Sequence, residues 1–328
     1  MKFSSATLPI LDFMSLFVSL AAYCDPLLHF TIGRALATAS DPAGLHFAVV
    51  DQSPDSARPL QPQEVAPARL SYLRIDPVYA RGPCWARAVA MTLYDGEDWY
   101  FQIDSHMDFD PGWDHQLIAQ AMALLPGRAG VVLSSYPNPF VFEGQQVMRR
   151  VCTDQVLAHV VKPGAVFDPE HPVLPFEAHP VEKDHPIPGF HLGAGCLFAP
   201  GRLVDELPYD PGFYFHGEEQ ALALRLFTHG WDIFHMPRLP VYHLYNNAES
   251  GAARRPLHWD PEHDTRRSQT WWSLEQRSRK RLAALAAGQL RGSFGLGRQR
   301  TVADYASFCG IDYLGRELSP QAYLPLAA

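Results

Sequence analysis

The chain has little charge, and the smaller part of it is positive. Of 328 residues only 19% are Asp, Glu, Lys or Arg, and 27 basic against 35 acidic residues leave a formal charge of −8. A nucleic-acid polymer needs a basic face to neutralise its phosphates, so it is not the expected partner. Cysteine is sparse as well. Five are scattered (Cys24, Cys84, Cys152, Cys196, Cys309), none in a C-x-x-C pair. That spacing excludes a disulfide framework or a cysteine-based zinc site, and it suits a reducing cytoplasm. Long apolar runs are missing too. The nearest is residues 8–23, but Asp12 interrupts it and only Lys2 precedes it. It is too short to span a bilayer and is followed by no small-residue cleavage site, so it reads as a first buried strand. No transmembrane segment and no internal repeat is expected. Against these absences, 47% of the residues are apolar, which excludes a disordered chain. Proline, at 29 residues, is about 9% of the chain against roughly 5% in ordinary proteins, so long ordered loops are expected. Fifteen histidines offer metal ligands and near-neutral proton carriers, provided some of them stand together.

The pattern along the chain alternates strand and helix. Residues 17–23 form an apolar run suited to a buried parallel strand. Asp25 and Pro26 then supply an N-cap and first turn for a helix to about residue 37. Residues 45–51 form a second strand, so the N-terminus reads as a βαβ unit. Strands over 70–76, 98–103, 130–135 and 193–199 follow, with helices over about 83–93, 115–125 and 218–229. Short strands are expected at 231–234 and 239–244, and a basic-sided helix at 268–290. The segment 162–190 holds seven prolines and five acidic residues without a periodic apolar pattern, and reads as a long functional loop.

Three segments carry chemistry-bearing residues. In the first, an apolar strand runs into Asp104-Ser105-His106. Ligands of open α/β sheets sit beyond the carboxyl ends of strands, and side chains two apart on an extended segment point to one side. A carboxylate with an imidazole there offers O and N ligands to a divalent ion such as Mn(II); a plain polar strand end gives the same short pattern. An EF-hand is excluded, because its sixth and twelfth positions would be Phe109 and His115 rather than Gly and Glu, and no H-E-x-x-H occurs. In the second segment an aromatic strand meets Gly217, and Glu218 and Glu219 open a helix. Acids there complement the helix dipole, or one of them faces a substrate. Adjacent helix positions differ by a wide angle, so either could be the facing one. The third segment, Val241-Tyr-His-Leu-Tyr245, places one strongly polar residue, His243, on an apolar strand.

In this order the segments resemble glycosyltransferase family 60, the cytosolic protein-hydroxyproline N-acetylglucosaminyltransferases. The matching stretches are Ala80-Arg-Gly-Pro-Cys-Trp-Ala-Arg87, Tyr100-Phe-Gln-Ile-Asp-Ser-His-Met107, Pro111-Gly-Trp-Asp114, Phe215-His-Gly-Glu-Glu219, Leu226-Phe-Thr-His-Gly-Trp-Asp232 and Tyr242-His-Leu-Tyr245, with Gly295-Leu-Gly-Arg-Gln-Arg-Thr301 in the tail. The resemblance implies an α/β GT-A fold: a mixed, mostly parallel sheet flanked by helices, with a C-terminal helical extension. It implies a catalytic domain over residues 1–262, with a donor half at about 14–135 and an acceptor half at about 136–262. The extension would cover 263–328. It implies retaining transfer, dependent on Mn(II) or Mg(II), of a sugar, foremost N-acetylglucosamine, from a UDP-sugar to a protein or glycan hydroxyl. Asp104 and His106 would take the D-x-H metal positions and His243 the third ligand. Ala21, Ala22, Tyr23 and Asp25 would line the uridine end. Ser105, Arg81 and Arg87 would serve the donor, and Arg254 and Arg255, in a basic loop over 246–259, would close over the diphosphate, with Arg298 and Arg300 as rivals to that pair. Glu218 or Glu219 would orient acceptor or sugar. The other readings of the same segments are a non-catalytic UDP-sugar or glycan-binding module on this fold and a metal hydrolase.

Overall fold

The computed structural model describes residues 14–151, 155–246 and 255–326. The N-terminal part lays down β1 (Leu16–Tyr23), α1 (Leu28–Thr38), β2 (Leu45–Gln52), the short α2 (Pro62–Val65), β3 (Arg69–Arg74), α3 (Pro83–Met91), β4 (Trp99–Ile103), β5 (Met107–Phe109) and α4 (Trp113–Leu124). Next come β6 (Gly130–Leu133), β7 (Asn138–Glu143), β8 (Gln146–Arg149), β9 (Val156–Val161), β10 (Phe176–Val181), β11 (Ile187–Gly189), β12 (Cys196–Pro200) and the short α5 (Leu203–Glu206). The remainder supplies α6 (Glu218–Thr228), β13 (Trp231–His235), β14 (Val241–His243), the short α7 (Pro261–Asp264), α8 (Trp271–Ala286), α9 (Val302–Cys309), β15 (Ile311–Asp312) and β16 (Glu317–Leu318).

Eight strands form the central sheet in the order β11-β13-β6-β12-β4-β1-β2-β3. β3, β2, β1 and β4 are parallel. β12 runs antiparallel between β4 and β6, β13 lies parallel to β6, and β11 closes the edge antiparallel. The continuous apolar run of β1 follows from burial on both faces. Phe17 packs into the core shared with α6, α8 and α9, whereas Leu16, Val18, Leu20 and Ala22 pack into the core under α1 and α4. The C-terminal segment is part of the same core: Leu282, Leu285, Tyr305 and Tyr313 pack with Leu192, Leu197 and Ala223.

A second sheet, β5-β14-β7-β8, stands beyond the end of β4. Its antiparallel register sets His243 opposite Met107, one residue past the Asp104–His106 turn. That pairing brings a residue from late in the chain to the end of β4.

Several expectations are corrected. The segment 162–190 is not a bare loop, since it contains β10, paired antiparallel with β9, and the edge strand β11. Its prolines fit this, because Pro180 and Pro188 lie on strands with a partner on one side only, where a missing N–H is tolerated. The helix expected from residue 26 begins at Leu28. One Asp25 oxygen accepts the Leu27 N–H (2.8 Å), while the other is drawn into the site. Helix ends at 91 rather than 93, and at 271–286 rather than 268–290, are shorter than the apolar pattern suggested. The β7–β8 hairpin lay outside the expected pattern.

Candidate active site

A cleft of about 320 Å³ opens at the C-terminal ends of β1, β2 and β4. Period-2 alternation decides which β1 residues reach it. Ala21 and Tyr23 line it, but Ala22 faces the opposite core with no exposure, which removes it from the expected uridine wall. Gln52, at the end of β2, lines the cleft beside them. Asp25, Arg87, Asp104, Ser105, His106, Glu218, Glu219, His243 and Arg255 all border this one space.

At its floor Asp104, His106 and His243 each bring a ligand atom to within 4.8 Å of the others. Asp104 Oδ2 lies 3.1 Å from His243 Nε2 and 3.6 Å from His106 Nε2. Behind His106, its Nδ1 is 2.8 Å from Asp25 Oδ2. A carboxylate only accepts, so Nδ1 carries the proton and Nε2 turns its lone pair toward Asp104. This carboxylate–imidazole arrangement recurs at metal-bound histidines, where it fixes tautomer and ring orientation. Ser105 Oγ donates to the same Asp25 oxygen (2.6 Å), so Ser105 braces Asp25. Burial lowers His243 to about 4 against the raising effect of its hydrogen bond to Asp104, so at neutral pH its ring is neutral, the form that can ligate a metal. Burial alone would raise Asp104, but the His243 hydrogen bond and the charges of His106 and Arg87 outweigh it and hold the carboxyl well below its usual range. One carboxylate oxygen and two imidazole nitrogens form a mixed donor set that fits a divalent ion such as Mn(II).

The backbone of Gly195 crosses close above. A Cβ there would lie 2.6 Å from Asp104 Oδ2, so only glycine leaves the Asp104 carboxylate in its place. The Gly193-Ala-Gly195 run was the sequence signal for this approach.

The two glutamates are distinguished. Glu218 is locked: Arg87 donates to it (2.9 Å), as do the Tyr209 hydroxyl (3.0 Å) and the Cys84 thiol (2.6 Å). Burial pushes its carboxyl above the usual range although the Arg87 charge pulls it down. Arg87 also reaches Asp104 Oδ1 (3.2 Å), tying the floor to α6. Glu219 is the open one, with 37% of its side chain exposed. One oxygen accepts the Ala194 N–H (2.7 Å), and the other lies 3.5 Å from His191 Nε2.

The arginines divide as well. Arg255 is buried, donates to the Leu244 carbonyl (2.8 Å) and stands 3.9 Å from Asp25. Its second terminal nitrogen has no partner. Arg81 lines a different cavity, on the other side of the α3 N-terminus, and stacks on Trp85. Arg298 is exposed and follows Gly297, which hydrogen-bonds Thr228 at the far end of α6. Arg300 pairs with Asp232 (2.7 Å) at the N-terminal end of β13. Neither Arg298 nor Arg300 reaches the cleft. Arg254 lies outside the described residues. Residues 255–259 complete the wall, and Arg267 ties them down by donating to the Tyr23 hydroxyl and the His258 carbonyl. Leu257, His258 and Trp259 lie in the expected loop over 246–259, but none of the three was singled out by the sequence.

The sheet order and its flanking helices define a mixed α/β protein of the GT-A fold class. The backbone is similar to GalNAc-T7 crystallised with UDP, GalNAc and Mn2+, with a TM-score of 0.56 and 13% identity over 75% of this chain and 45% of that one. It is also similar to S. aureus TarS 1-349, with a TM-score of 0.44 and 13% identity over 70% of this chain and 60% of that one. The chain thus spans less than two thirds of the length of either. No curated protein sequence matches it. The chain belongs to the Glycosyltransferase (GlcNAc) family, whose profile matches residues 58–314. Among the described residues no helix is long and apolar enough to cross a membrane.

Proposed function

We propose that the protein is a metal-dependent retaining transferase that moves N-acetylglucosamine from UDP-N-acetylglucosamine to a hydroxyl of a protein or glycan. The observation that carries this reading is the Asp104–His106–His243 cluster, which lies inside the family's matched region and is backed by Asp25 from outside it. Mn(II) crystallised with the GT-A transferase GalNAc-T7 supports the choice of ion, and Mg(II) is the alternative.

Asp104, His106 and His243 would hold the ion, which when bound neutralises a diphosphate and stabilises it as a leaving group. Tyr23, Ala21 and Gln52 receive the uridine end. Arg255 offers its unpartnered nitrogen to the diphosphate, a charge-assisted hydrogen bond to a group of opposite sign. Arg87 fixes Glu218 and the back of Asp104, which keeps the floor rigid. Glu219, pinned by the Ala194 N–H and otherwise open, orients the acceptor hydroxyl. Residues 14–135 serve the donor, 136–262 the acceptor, and 263–328 buttress both.

The test is a screen of UDP-sugars with Mn(II), reading UDP release. UDP-N-acetylglucosamine should be turned over, and Asp104→Ala should abolish the release. A protein that turns over no UDP-sugar contradicts the proposal.

A further inference from the structure

Glu219 is the open carboxylate of the cleft, and behind it stands a buried histidine. His191 lies in the extended run between β11 and β12 and is 1% exposed. Its backbone is anchored: the Phe190 carbonyl accepts from the Tyr305 hydroxyl (2.6 Å), and the His191 carbonyl accepts from His235 Nε2 (2.8 Å). Its ring lies flat on Phe176, with centroids 3.5 Å apart and planes 11° from parallel. The ring therefore has little freedom to turn.

A buried polar group without a hydrogen bond is costly, and such groups are few in folded proteins. Among the described residues neither ring nitrogen of His191 has a hydrogen-bond partner. One acceptor is within reach. Glu219 Oε2 stands 3.5 Å from His191 Nε2, while Glu219 Oε1 is held at 2.7 Å by the Ala194 N–H. A carboxylate only accepts, so the proton belongs on Nε2. A closing of roughly half an ångström makes this an ordinary hydrogen bond. An apolar residue would fill the same place with no polar group to satisfy, so packing alone gives no reason for an imidazole here. One short stretch of backbone brings both donors, since Ala194 follows His191 closely. With each oxygen engaged from behind, the plane of the carboxylate is fixed. Its free lone pairs are left for the cleft that Glu219 borders.

We propose that His191 is a positioning residue for Glu219. Its Nε2–H holds the second carboxylate oxygen at the angle at which Glu219 receives the acceptor hydroxyl. The inference deepens the transferase reading above and rests on the role that reading gives Glu219. It assigns His191 to the rate of the reaction and not to donor binding, because a misplaced group slows the chemical step without touching the metal ligands or the nucleotide.

The experiment follows UDP release from UDP-N-acetylglucosamine with Mn(II), water serving as the acceptor hydroxyl, together with UDP affinity in Mn(II). His191→Phe keeps the stack on Phe176 and removes the donor. Its kcat should fall about tenfold, with KM for the donor and UDP affinity at the parent level. His191→Gln, which carries an N–H at a similar reach, should recover part of the loss. Glu219→Gln should lower kcat by at least as much. Adding His191→Phe to it should cost less than about a further twofold, because the two residues act as one unit. A merely structural histidine would instead lower the urea midpoint and leave kcat in place. A His191→Phe kcat within about twofold of the parent, no recovery in His191→Gln, or losses that multiply in the double variant overturn the proposal. If His191→Phe misfolds and loses Mn(II)-dependent UDP binding, His191→Asn, whose shorter amide stops short of Glu219, takes its place. Parent-like kcat in Glu219→Gln removes the role of Glu219 and the inference with it. No UDP release in the parent protein defeats the transferase reading itself.

Discussion

Asp25 and His106 are joined across the first strand–helix junction, with Asp25 Oδ2 2.8 Å from His106 Nδ1. One carboxylate near the start of the chain thus fixes which nitrogen His106 turns toward Asp104. Removing such a partner typically weakens metal affinity by about 10–100-fold. Asp25→Ala should show a loss of that size in a Mn(II) titration, and Asp25→Asn, which keeps one accepting oxygen, a smaller one. Unchanged Mn(II) affinity in Asp25→Ala would show that His106 is oriented by other means.

Gly195 gives a second prediction. Its missing Cβ leaves room for Asp104 Oδ2, which would otherwise be 2.6 Å away. In Gly195→Ala the Asp104 carboxylate must swing from His243 and Arg87. Because that end is a side chain rather than backbone, the urea midpoint should change little. Mn(II) affinity and UDP release should both fall at least about tenfold, the usual scale for disturbing a ligand's setting. Parent-like Mn(II) binding in this variant would contradict the crowding argument.

The Arg87–Glu218 pair is buried on both sides, at 7% and 4% side-chain exposure. Deleting one partner of such a pair costs about 3–5 kcal/mol, because the other charge is stranded. Arg87→Met should therefore destabilise the protein by that order in urea unfolding. The double variant Arg87→Met with Glu218→Gln should recover much of the loss. If the single variant unfolds within about 1 kcal/mol of the parent, the ordinary range of surface changes, the pair is not the anchor described here.

His159, His191 and His235 form a buried group, and neither ring nitrogen of His159 has a hydrogen-bond partner. Burial lowers His159 well below 6.5 and His235 to about 4. The unfolded chain therefore takes up protons first as pH falls. Stability is full above about 6.5 and is lost on acidification toward 4, by about 1.4 kcal/mol per pH unit for each such histidine. His159→Phe keeps the stack on Tyr136 (ring centroids 4.1 Å apart) and removes one titrating group. Its urea midpoint should fall less steeply between pH 7 and 4.5 than the parent's. Parallel slopes would rule out His159 as a contributor.

The parts legible in the sequence share one cause: a periodic apolar run ending in a chemistry-bearing residue. β1, β2 and β4 read as strands because both their faces are buried. Asp104 and His106 were visible because they sit where β4 stops. His243 was visible only as a polar residue on an apolar strand, since its partners lie 139 and 137 positions away and meet it through the β5–β14 register. β10 and β11 were hidden by prolines that an edge strand tolerates. Which glutamate is open could not be read from two adjacent acids, because Tyr209 and Arg87, the groups that lock Glu218, come from elsewhere in the chain. Arg81 and Arg298 illustrate the reverse error: each stands in a matching stretch, but the fold turns it away from the cleft.

The central claim is that the Asp104–His106–His243 cluster serves a nucleotide diphosphate through a metal ion. UDP affinity, measured by titration with and without Mn(II) on the parent chain and on His243→Ala, tests it most directly. The account predicts that Mn(II) tightens UDP binding by about tenfold or more in the parent, about 1.4 kcal/mol, and by little in the variant. Equal UDP affinity with and without Mn(II) in the parent, or the same tightening in both proteins, would contradict it.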